Sequence, residues 1–207
     1  MSDVTKTPHW DGPPLEAWDA WTPEQAAARL AGVAAPWCLV GGWALDVWLG
    51  RESRVHGDLE IAVPRPFFGA MRARLSGFDF HTAGDGEVHA LAPEVGPPPG
   101  KHQTWLREGA VWRLDVMLEP GDGATWVFRR DESLTAPRAA MVGVSAGGVP
   151  YLKPQGALLY KAAKPRPKDE ADFSRFAPLL DIEARDWLRE AIARLYPGHA
   201  WLARLAA

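Results

Sequence analysis

A chain of 207 residues that is 47% hydrophobic and 24% charged has the composition of a soluble globular protein with one domain, or one domain and a small appendage. The net charge of −3 argues against a nucleic-acid partner, and the single cysteine, Cys38, excludes an internal disulfide and a cysteine-rich zinc site. No apolar run approaches the ~20 residues that span a bilayer, and the N-terminus lacks the apolar segment of a signal peptide, so we expect a cytoplasmic protein without a membrane partner.

The first 50 residues predict an arm, a helix, a short strand and a second helix. Residues 1–21 are predicted to form an N-terminal arm, since prolines interrupt a polar stretch. Thr22-Pro23-Glu24-Gln25 has the pattern of a capping box with proline in the first turn, which predicts a helix through Leu30. The apolar run at 37–40 predicts a buried strand, and residues 43–49 predict a helix that ends at Gly50.

Two acids, Asp58 and Glu60, lie two residues apart in a segment predicted to be the next strand. Residues i and i+2 of a strand project from the same face, where two carboxylates repel each other and lose hydration unless a cation joins them. Hard cations such as Mg²⁺ bind carboxylate oxygens and keep positions open for substrate phosphates. The pair therefore predicts a metal site; the alternative is a solvated strand edge with two ordinary acids.

Further strands are predicted in the middle of the chain, and one of them contains an acid. The predicted elements are a helix at 67–75, strands at 78–83 and 86–92, a hairpin of 103–107 with 111–118, and an edge pair from 125–130 and the Gly147-Gly148 turn. Asp115 lies in the apolar strand RLDVML, where an acid is costly without a partner. We take it as a third metal ligand or as a general base, with an ion pair to Arg113 as the alternative.

After Pro154 the pattern predicts helices only, at 155–163, 170–179, 182–195 and 199–205, with Asp169 as an N-cap. We therefore divide the chain into an arm at 1–21, an α/β domain at 22–153 and a helical subdomain at 154–207. A mixed sheet with flanking helices, followed by a helical segment, is an α+β fold.

Six residues are candidates for binding a nucleotide or its phosphates. Glycines let a backbone approach phosphates, a following helix offers free N–H groups, and arginine suits bidentate phosphate contacts. The alternatives are a simple turn, a solvated loop and a solvated helix face; the neighbouring Asp46 is expected to pair with an arginine. The candidates are Gly41, Gly42, Arg51, Arg54, His56 and Lys161.

The segment at 36–63, PWCLVGGWALDVWLGRESRVHGDLEIAV, resembles the nucleotidyltransferase superfamily, and within it the aminoglycoside 2''-nucleotidyltransferase and lincosamide nucleotidyltransferase group. The likeness rests on Gly-Gly-Trp-Ala at 41–44, on Gly50-Arg51 and on His56 two residues before the first acid. It continues more loosely through RLDVML and through LLYKAAKPRPKDEADF at 158–173. Two positions depart from the family: Glu60 stands where it usually has Asp, and Gly57 where the aminoglycoside group often has an acid.

The resemblance implies a nucleotidyltransferase fold and an enzyme that depends on Mg²⁺ or Mn²⁺. Such an enzyme transfers a nucleoside monophosphate, here expected to be AMP from ATP, to a hydroxyl of a small acceptor such as an aminoglycoside- or lincosamide-like antibiotic. Asp58, Glu60 and Asp115 would be both its catalytic and its metal-binding residues. The alternatives are a nucleotidyltransferase acting on tRNA or protein, as in toxins, and a non-catalytic nucleotide-binding protein.

The acceptor and the oligomeric state are not defined by the sequence. Acidic residues in exposed loops, Asp85, Glu87 and Glu94, would attract a polycationic acceptor. Trp105 and Trp112 flank the hairpin that carries Asp115 and are candidates for an aromatic wall against the acceptor, with ordinary core packing as the alternative.

Overall fold

The computed structural model describes residues 12–84 and 86–206, so residues 1–11 of the predicted arm and the candidate Asp85 lie outside the described residues. The strands within these ranges are β1 Cys38–Leu39, β2 Glu60–Pro64, β3 Asp79–Gly84, β4 Glu87–Ala90, β5 Gln103–Glu108, β6 Val111–Glu119, β7 Thr125–Val127, β8 Thr135–Pro137, β9 Val142–Val144 and β10 Pro150–Leu152. The α-helices are α1 Pro23–Arg29, α2 Gly41–Leu49, α3 Phe68–Arg74, α4 Arg138–Met141, α5 Pro154–Ala162, α6 Pro167–Phe176, α7 Ile182–Leu195 and α8 Trp201–Leu205.

Helix α1 begins as its sequence predicts. The Thr22 hydroxyl accepts a hydrogen bond from the Gln25 backbone N–H, and the Gln25 side chain accepts one from the Thr22 backbone N–H. These two bonds satisfy donors that the first helical turn otherwise leaves open. Helix α2 ends at Gly50, which takes the left-handed conformation (φ 77°) that glycine adopts without a steric penalty.

Eight strands form one mixed sheet in the order β4-β3-β5-β6-β2-β1-β10-β9, while β7 and β8 form a separate pair. The prediction of one edge pair from residues 125–130 and the Gly147-Gly148 turn is therefore wrong. Residues 125–127 pair with 135–137, and the Gly147-Gly148 turn joins β9 to β10 at the sheet edge. Both are short local hairpins, whose partners a strand pattern alone does not specify.

Strand β2 begins later than the sequence predicts. Asp58 and Leu59 precede it, and Glu60 is its first residue. The two acids are therefore not both members of a regular strand, and their shared face does not follow from strand alternation alone.

The sheet has one face in the core and one that carries polar groups. Glu60 on β2, Asp115 on β6 and Trp105 on β5 lie in one row across three neighbouring strands. The next row contains Ile61 and Val116, which are fully buried in the hydrophobic core. Because successive side chains of a strand point to opposite faces, the acids lie on the face away from that core row.

The chain after Pro154 is helical throughout its described part, as predicted. Helix α5 packs against α2 and α7, and its fully buried Leu158 belongs to the same hydrophobic cluster as Leu39 of β1. One core thus extends through both predicted parts of the chain, and their division at residue 153 remains a prediction.

The remaining outer elements close the fold. The described end of the predicted arm runs beside β6, where Trp18 forms an isolated bridge with Trp112. None of the helices in the described ranges combines the length and apolar character needed to cross a membrane. The α+β architecture predicted from the sequence is confirmed.

We expect Leu158→Ala to destabilise the whole chain by about 2–5 kcal/mol, because truncating a fully buried leucine removes buried surface and leaves a cavity. Since the core is shared, urea unfolding followed by both far-ultraviolet circular dichroism and tryptophan fluorescence should show one transition that moves as a unit. Ile182→Ala, at a side chain that is 82% exposed, is the control and should cost less than about 0.5 kcal/mol. Two transitions, only one of which shifts, would contradict the shared core.

Candidate active site

The site is built around two acids on adjacent parallel strands. Glu60 of β2 and Asp115 of β6 are direct register partners, and Asp58 lies just before β2. All three charges interact, since Asp58 and Glu60 each raise the pKa of Asp115. The structure therefore brings the three predicted acids into one neighbourhood.

Asp115 is only 2% exposed and is held by two side chains of β5. Gln103 Nε2 donates to its Oδ2 at 2.5 Å, and Trp105 Nε1 donates to the same oxygen at 3.1 Å. Its other oxygen, Oδ1, is buried and has no hydrogen-bond partner among the described residues. Burial and then the charge of Glu60 raise the pKa of Asp115 well above its usual range, although the two hydrogen bonds lower it.

The alternative partner for Asp115, Arg113, is engaged elsewhere. Its guanidinium donates to the Asp19 carboxylate and to Glu108 Oε2, the latter at 2.8 Å. The alternative of an ion pair between Arg113 and Asp115 is thus wrong, because the Arg113 guanidinium is taken up by Asp19 and Glu108.

Glu60 is partly buried, and its pKa is raised to about 6. Burial is the largest cause and the charge of Asp58 the second, while Lys161, Lys168 and Arg166 lower the pKa. Neither the Asp58 nor the Glu60 carboxylate forms a hydrogen bond with any described residue. Both acids remain open to a cation.

The Gly41-Gly42 turn makes room for the site's side chains. A Cβ on Gly41, which has φ 66°, would overlap the Glu60 carboxylate, and one on Gly42 would overlap Arg54 and His56. Val40, the N-cap of α2, has no side chain that could cap the first-turn N–H groups. The two glycines therefore lie at the acids, next to a helix start that can accept an anion.

Protein groups contact His56 on one face of its ring and at Nε2, so these two positions are not available to a ligand. Its ring stacks on Trp43 with centroids 4.4 Å apart, and its Nε2 lies 2.7 Å from Asp46 Oδ2. Asp46 also accepts hydrogen bonds from the Ser53 hydroxyl and backbone N–H. The expectation that Asp46 pairs with an arginine is wrong, because its oxygens are satisfied by His56 and Ser53.

Two predicted phosphate ligands, Arg54 and Lys161, are fixed by acids of α6. Arg54 forms a two-bond ion pair with Asp172, at 3.1 and 3.2 Å. Lys161 contacts Asp172 at 3.0 Å and Asp169 at 2.8 Å. Sequence reasoning missed this network, although Asp169 and Asp172 are three residues apart, a spacing that puts both on one helix face.

The α6 acids remain ionised because they face cations. Burial raises the pKa of Asp172, but hydrogen bonds from Arg54 and Lys161 lower it further, to below its usual range. For Asp169, burial is likewise outweighed by hydrogen bonds from Arg166 and Lys161. The prediction that Asp169 is the N-cap of its helix is wrong: Arg166 is the N-cap, and Asp169 accepts from its backbone N–H from inside the first turn.

A cavity of ≈ 520 Å³ opens between the sheet and α5, next to a smaller one of ≈ 80 Å³, and Glu60, Lys161 and Arg166 line both. The larger cavity has basic and apolar sides. Its basic residues are Arg129, Arg130, Lys161, Lys164 and Arg166. Its apolar residues include Val40, Ala62, Met117, Leu152, Ala157 and Tyr160.

The smaller cavity contains Asp58, Gly42, Arg54 and His56, whereas Arg51 is exposed and lies outside both. Eight of the nine predicted residues are thus at or beside the acids. Arg51 is the exception, because it follows the end of α2 on the solvent side of the loop.

The two predicted aromatic candidates have different roles. Trp105 is partly exposed and donates to Asp115. Trp112 is fully buried and donates to the Pro14 carbonyl, so it belongs to the packing between the arm and β6. Of the pair, Trp105 is the one placed to contact a ligand.

The largest cavity, of ≈ 1410 Å³, lies elsewhere, between α3 and the loop after β4. Arg72 and Arg65 cross it and donate to carbonyls of that loop, at Leu91 and Pro97. None of the predicted site residues lines it. Its size therefore does not make it the site, since the acid pair Asp58 and Glu60 lines the smallest cavity.

The donor set fits a hard divalent cation. Three carboxylates supply oxygen ligands, Asp115 Oδ1 is buried without a partner, and the Asp58 and Glu60 carboxylates are free of hydrogen bonds to described residues. Within residues 12–84 and 86–206, however, no three His, Cys, Asp or Glu side chains are already arranged as a metal site. The metal therefore remains a prediction.

Comparison with known proteins supports the sequence resemblance. The family model for aminoglycoside-2''-adenylyltransferase matches residues 24–90, which include the Gly-Gly turn and the acid pair. The match covers about a third of the chain, which is similar to the family in the segment that carries the resemblance. None of the curated proteins matches it.

The solved structures similar to this chain are distant in sequence. The crystal structure of ANT(2'')-Ia in complex with adenylyl-2''-tobramycin has 19% identity and a TM-score of 0.56, over 84% of this chain and 95% of the other. The solution structure of the antibiotic-resistance factor ANT(2'')-Ia has 19% identity and a TM-score of 0.51, over 82% and 88%. Lincomycin-bound lincosamide adenylyltransferase LnuA has 16% identity and a TM-score of 0.49, over 72% and 90%. At 19% identity the likeness to the two ANT(2'')-Ia structures shows the fold.

We expect Glu60→Gln to stabilise the metal-free protein above about pH 6 and to have no effect below about pH 4.5. An acid whose pKa is raised on folding holds its proton more tightly in the folded chain, so stability falls as the pH rises from 4.5 through about 6. The amide removes that loss, which is on the order of 2 kcal/mol at pH 8. Urea unfolding at pH 4 and pH 8 measures it, with the exposed Glu190→Gln as control. A gain of equal size at both pH values would contradict the assignment to the Glu60 charge.

Proposed function

We propose that this protein is a nucleotidyltransferase, which transfers a nucleoside monophosphate, in the first instance AMP from ATP, to a hydroxyl of a small acceptor in the presence of Mg²⁺ or Mn²⁺. The observation that carries the proposal is the acid row, in which Glu60 lines a cavity with basic residues and its register partner Asp115 has an Oδ1 without a hydrogen-bond partner among the described residues. A structural role for two adjacent carboxylates with raised pKa values would cost stability without return.

The nucleotide fits the paired cavities. Apolar side chains and the Tyr160 ring offer a surface for a base, and the cations beside Glu60 offer donors for phosphates. Arg129 supports this placement, because its guanidinium lines the cavity and donates to no described residue. The triphosphate would run towards the smaller cavity, past Glu60, to Gly42 and Lys168.

Asp58, Glu60 and Asp115 would hold the divalent cation. When bound, the cation would offset the charge that develops on the leaving pyrophosphate. The fixed cations Lys161 and Arg166 act on the same charge from the opposite wall, and their acids on α6 keep them in position before substrate arrives.

The acceptor would approach on the open face of the sheet. Trp105 is partly exposed there and touches Asp115, so a sugar ring stacked on its indole would bring a hydroxyl to the acid row. An aminoglycoside is the acceptor suggested by the family model, and the complex of ANT(2'')-Ia with adenylyl-2''-tobramycin shows such a product in a protein of this fold. Transfer to tRNA or protein, and nucleotide binding without catalysis, are the competing outcomes of the tests below.

We expect Asp58→Asn to abolish transfer and to weaken Mg²⁺-dependent triphosphate binding at least tenfold while the chain stays folded, since the amide keeps the shape and loses the charge that holds a cation. Calorimetry with a non-hydrolysable ATP analogue, with and without Mg²⁺, measures the binding. Asp186→Asn on α7, which pairs only with a surface arginine, is the matched control. If wild type and Asp58→Asn bound the analogue equally well without metal, the scaffold alternative would be favoured.

The acceptor is identified by incubating the protein with α-labelled ATP, Mg²⁺ and separate pools of aminoglycosides, lincosamides, bulk tRNA and protein. We expect label to move to a small molecule, with release of pyrophosphate, and no transfer by Asp58→Asn. Label in tRNA or protein alone would overturn the small-molecule acceptor and leave nucleotidyl transfer intact. Repeating the assay with GTP, CTP and UTP tests the choice of ATP.

A further inference from the structure

The two oxygens of the Asp115 carboxylate are not equivalent. Oδ2 accepts from both Gln103 and Trp105, whereas Oδ1 is buried with no partner among the described residues. A carboxylate turns easily about its last side-chain bond, so free aspartates present either oxygen. Two donors on one oxygen remove that freedom.

The two donors come from one strand. Gln103 and Trp105 are two residues apart on β5, so both point to the face that carries the acid row. Trp105 is the direct register partner of Asp115, and Gln103 lies one position further along that face. Trp105 is itself braced by edge-to-face contacts with Trp18 at 5.1 Å and Trp112 at 5.2 Å. The indole N–H is therefore held in its orientation before any ligand binds.

A role in stability alone does not explain this arrangement. Packing would favour an uncharged residue at position 115, and the donors would then be unnecessary. If the donors served only to satisfy a buried acid, both oxygens would need partners, because an unsatisfied buried acceptor costs free energy. Only one oxygen is satisfied, and the charges of Glu60 and Asp58 both act on the Asp115 carboxyl group.

We propose that Gln103 and Trp105 are positioning residues that fix Asp115 so that Oδ1 alone meets the reacting groups. The inference rests on the proposed function and extends it to two residues outside the acid set. Oδ1 is then the Asp115 oxygen that would hold the divalent cation, and in the transfer step the acceptor hydroxyl gives its proton to solvent water. The acceptor oxygen forms its bond to the α-phosphorus, the bond from that phosphorus to the bridging oxygen breaks, and pyrophosphate leaves with the electron pair.

The geometry gives the two residues distinct tests. Gln103→Met keeps the length of the side chain and loses the donor, and Trp105→Phe keeps an aromatic ring and loses the N–H. Each should lower kcat about 10- to 100-fold, the usual effect of removing a hydrogen bond that orients a working carboxylate, while KM for the nucleotide changes less than about threefold. Gln155→Met on α5, a glutamine outside both cavities, should leave kcat and KM at wild-type values.

A thermodynamic cycle on the free protein separates this inference from the proposed function. At pH 8, Gln103→Met should lower Tm in the wild-type background, because it strips a donor from a buried carboxylate. In the Asp115→Leu background it should not lower Tm, since there the glutamine has lost its acceptor. This cycle needs no substrate. If the protein showed no transfer activity, the proposed function would be wrong, but the interaction of Gln103 with Asp115 could still be measured from Tm.

Three results would overturn the positioning role. The first is an equal fall in Tm in both backgrounds, which would make Gln103 a general packing residue. The second is an unchanged kcat in Gln103→Met and Trp105→Phe of an active enzyme. The third is a loss confined to KM, which would place the two residues in acceptor or nucleotide binding and not in the orientation of Asp115.

Discussion

Two carboxylates in register on adjacent parallel strands repel each other, and the rest of the structure has to offset the free energy that this repulsion costs. Glu60 and Asp115 would each be more stable as neutral side chains, as their raised pKa values show. The two acids can stay close because burial of apolar side chains elsewhere in the sheet, such as Ile61 and Val116, contributes more free energy to folding than the acids cost. Such a cost is typical of sites that must bind charge, where the ligand provides the missing partner.

The opposite wall of the site shows how cations are held near those acids without neutralising them. Arg54 from the loop before β2 and Lys161 from α5 both contact Asp172 of α6. The α6 acids thus act as anchors that fix the direction of the cations while drawing away part of their charge. The network also connects the α/β part to the helices, so the phosphate side of the site depends on the packing of α5 and α6. The position of these cations and the packing of α6 are therefore linked through a few side chains.

Local elements were predictable from the sequence because their signals are local. The capping box of Thr22 and Gln25, the strand around Asp115 and helix α7 over residues 182–195 all depend on neighbours in the chain. The Gly-Gly turn and the acid pair were recognisable for the same reason. What could not be predicted depends on register and on distant contacts. The partner of Arg54 lies 118 residues further along the chain, and the pairing of β5 with β6 decides that Gln103 and Trp105 reach Asp115.

The glutamate at position 60 is accommodated by the glycine at position 41. The family usually has Asp where this chain has Glu, and the additional methylene carries the Glu60 carboxylate up against the Cα of Gly41. Any larger residue at 41 would overlap that carboxylate, and its φ of 66° is itself unfavourable for residues with a Cβ. The longer acid therefore fits because the turn begins with glycine. Its oxygen lies at the start of α2, where the proposed function places phosphates, so in that proposal Glu60 would bind the cation from a backbone position one methylene further away.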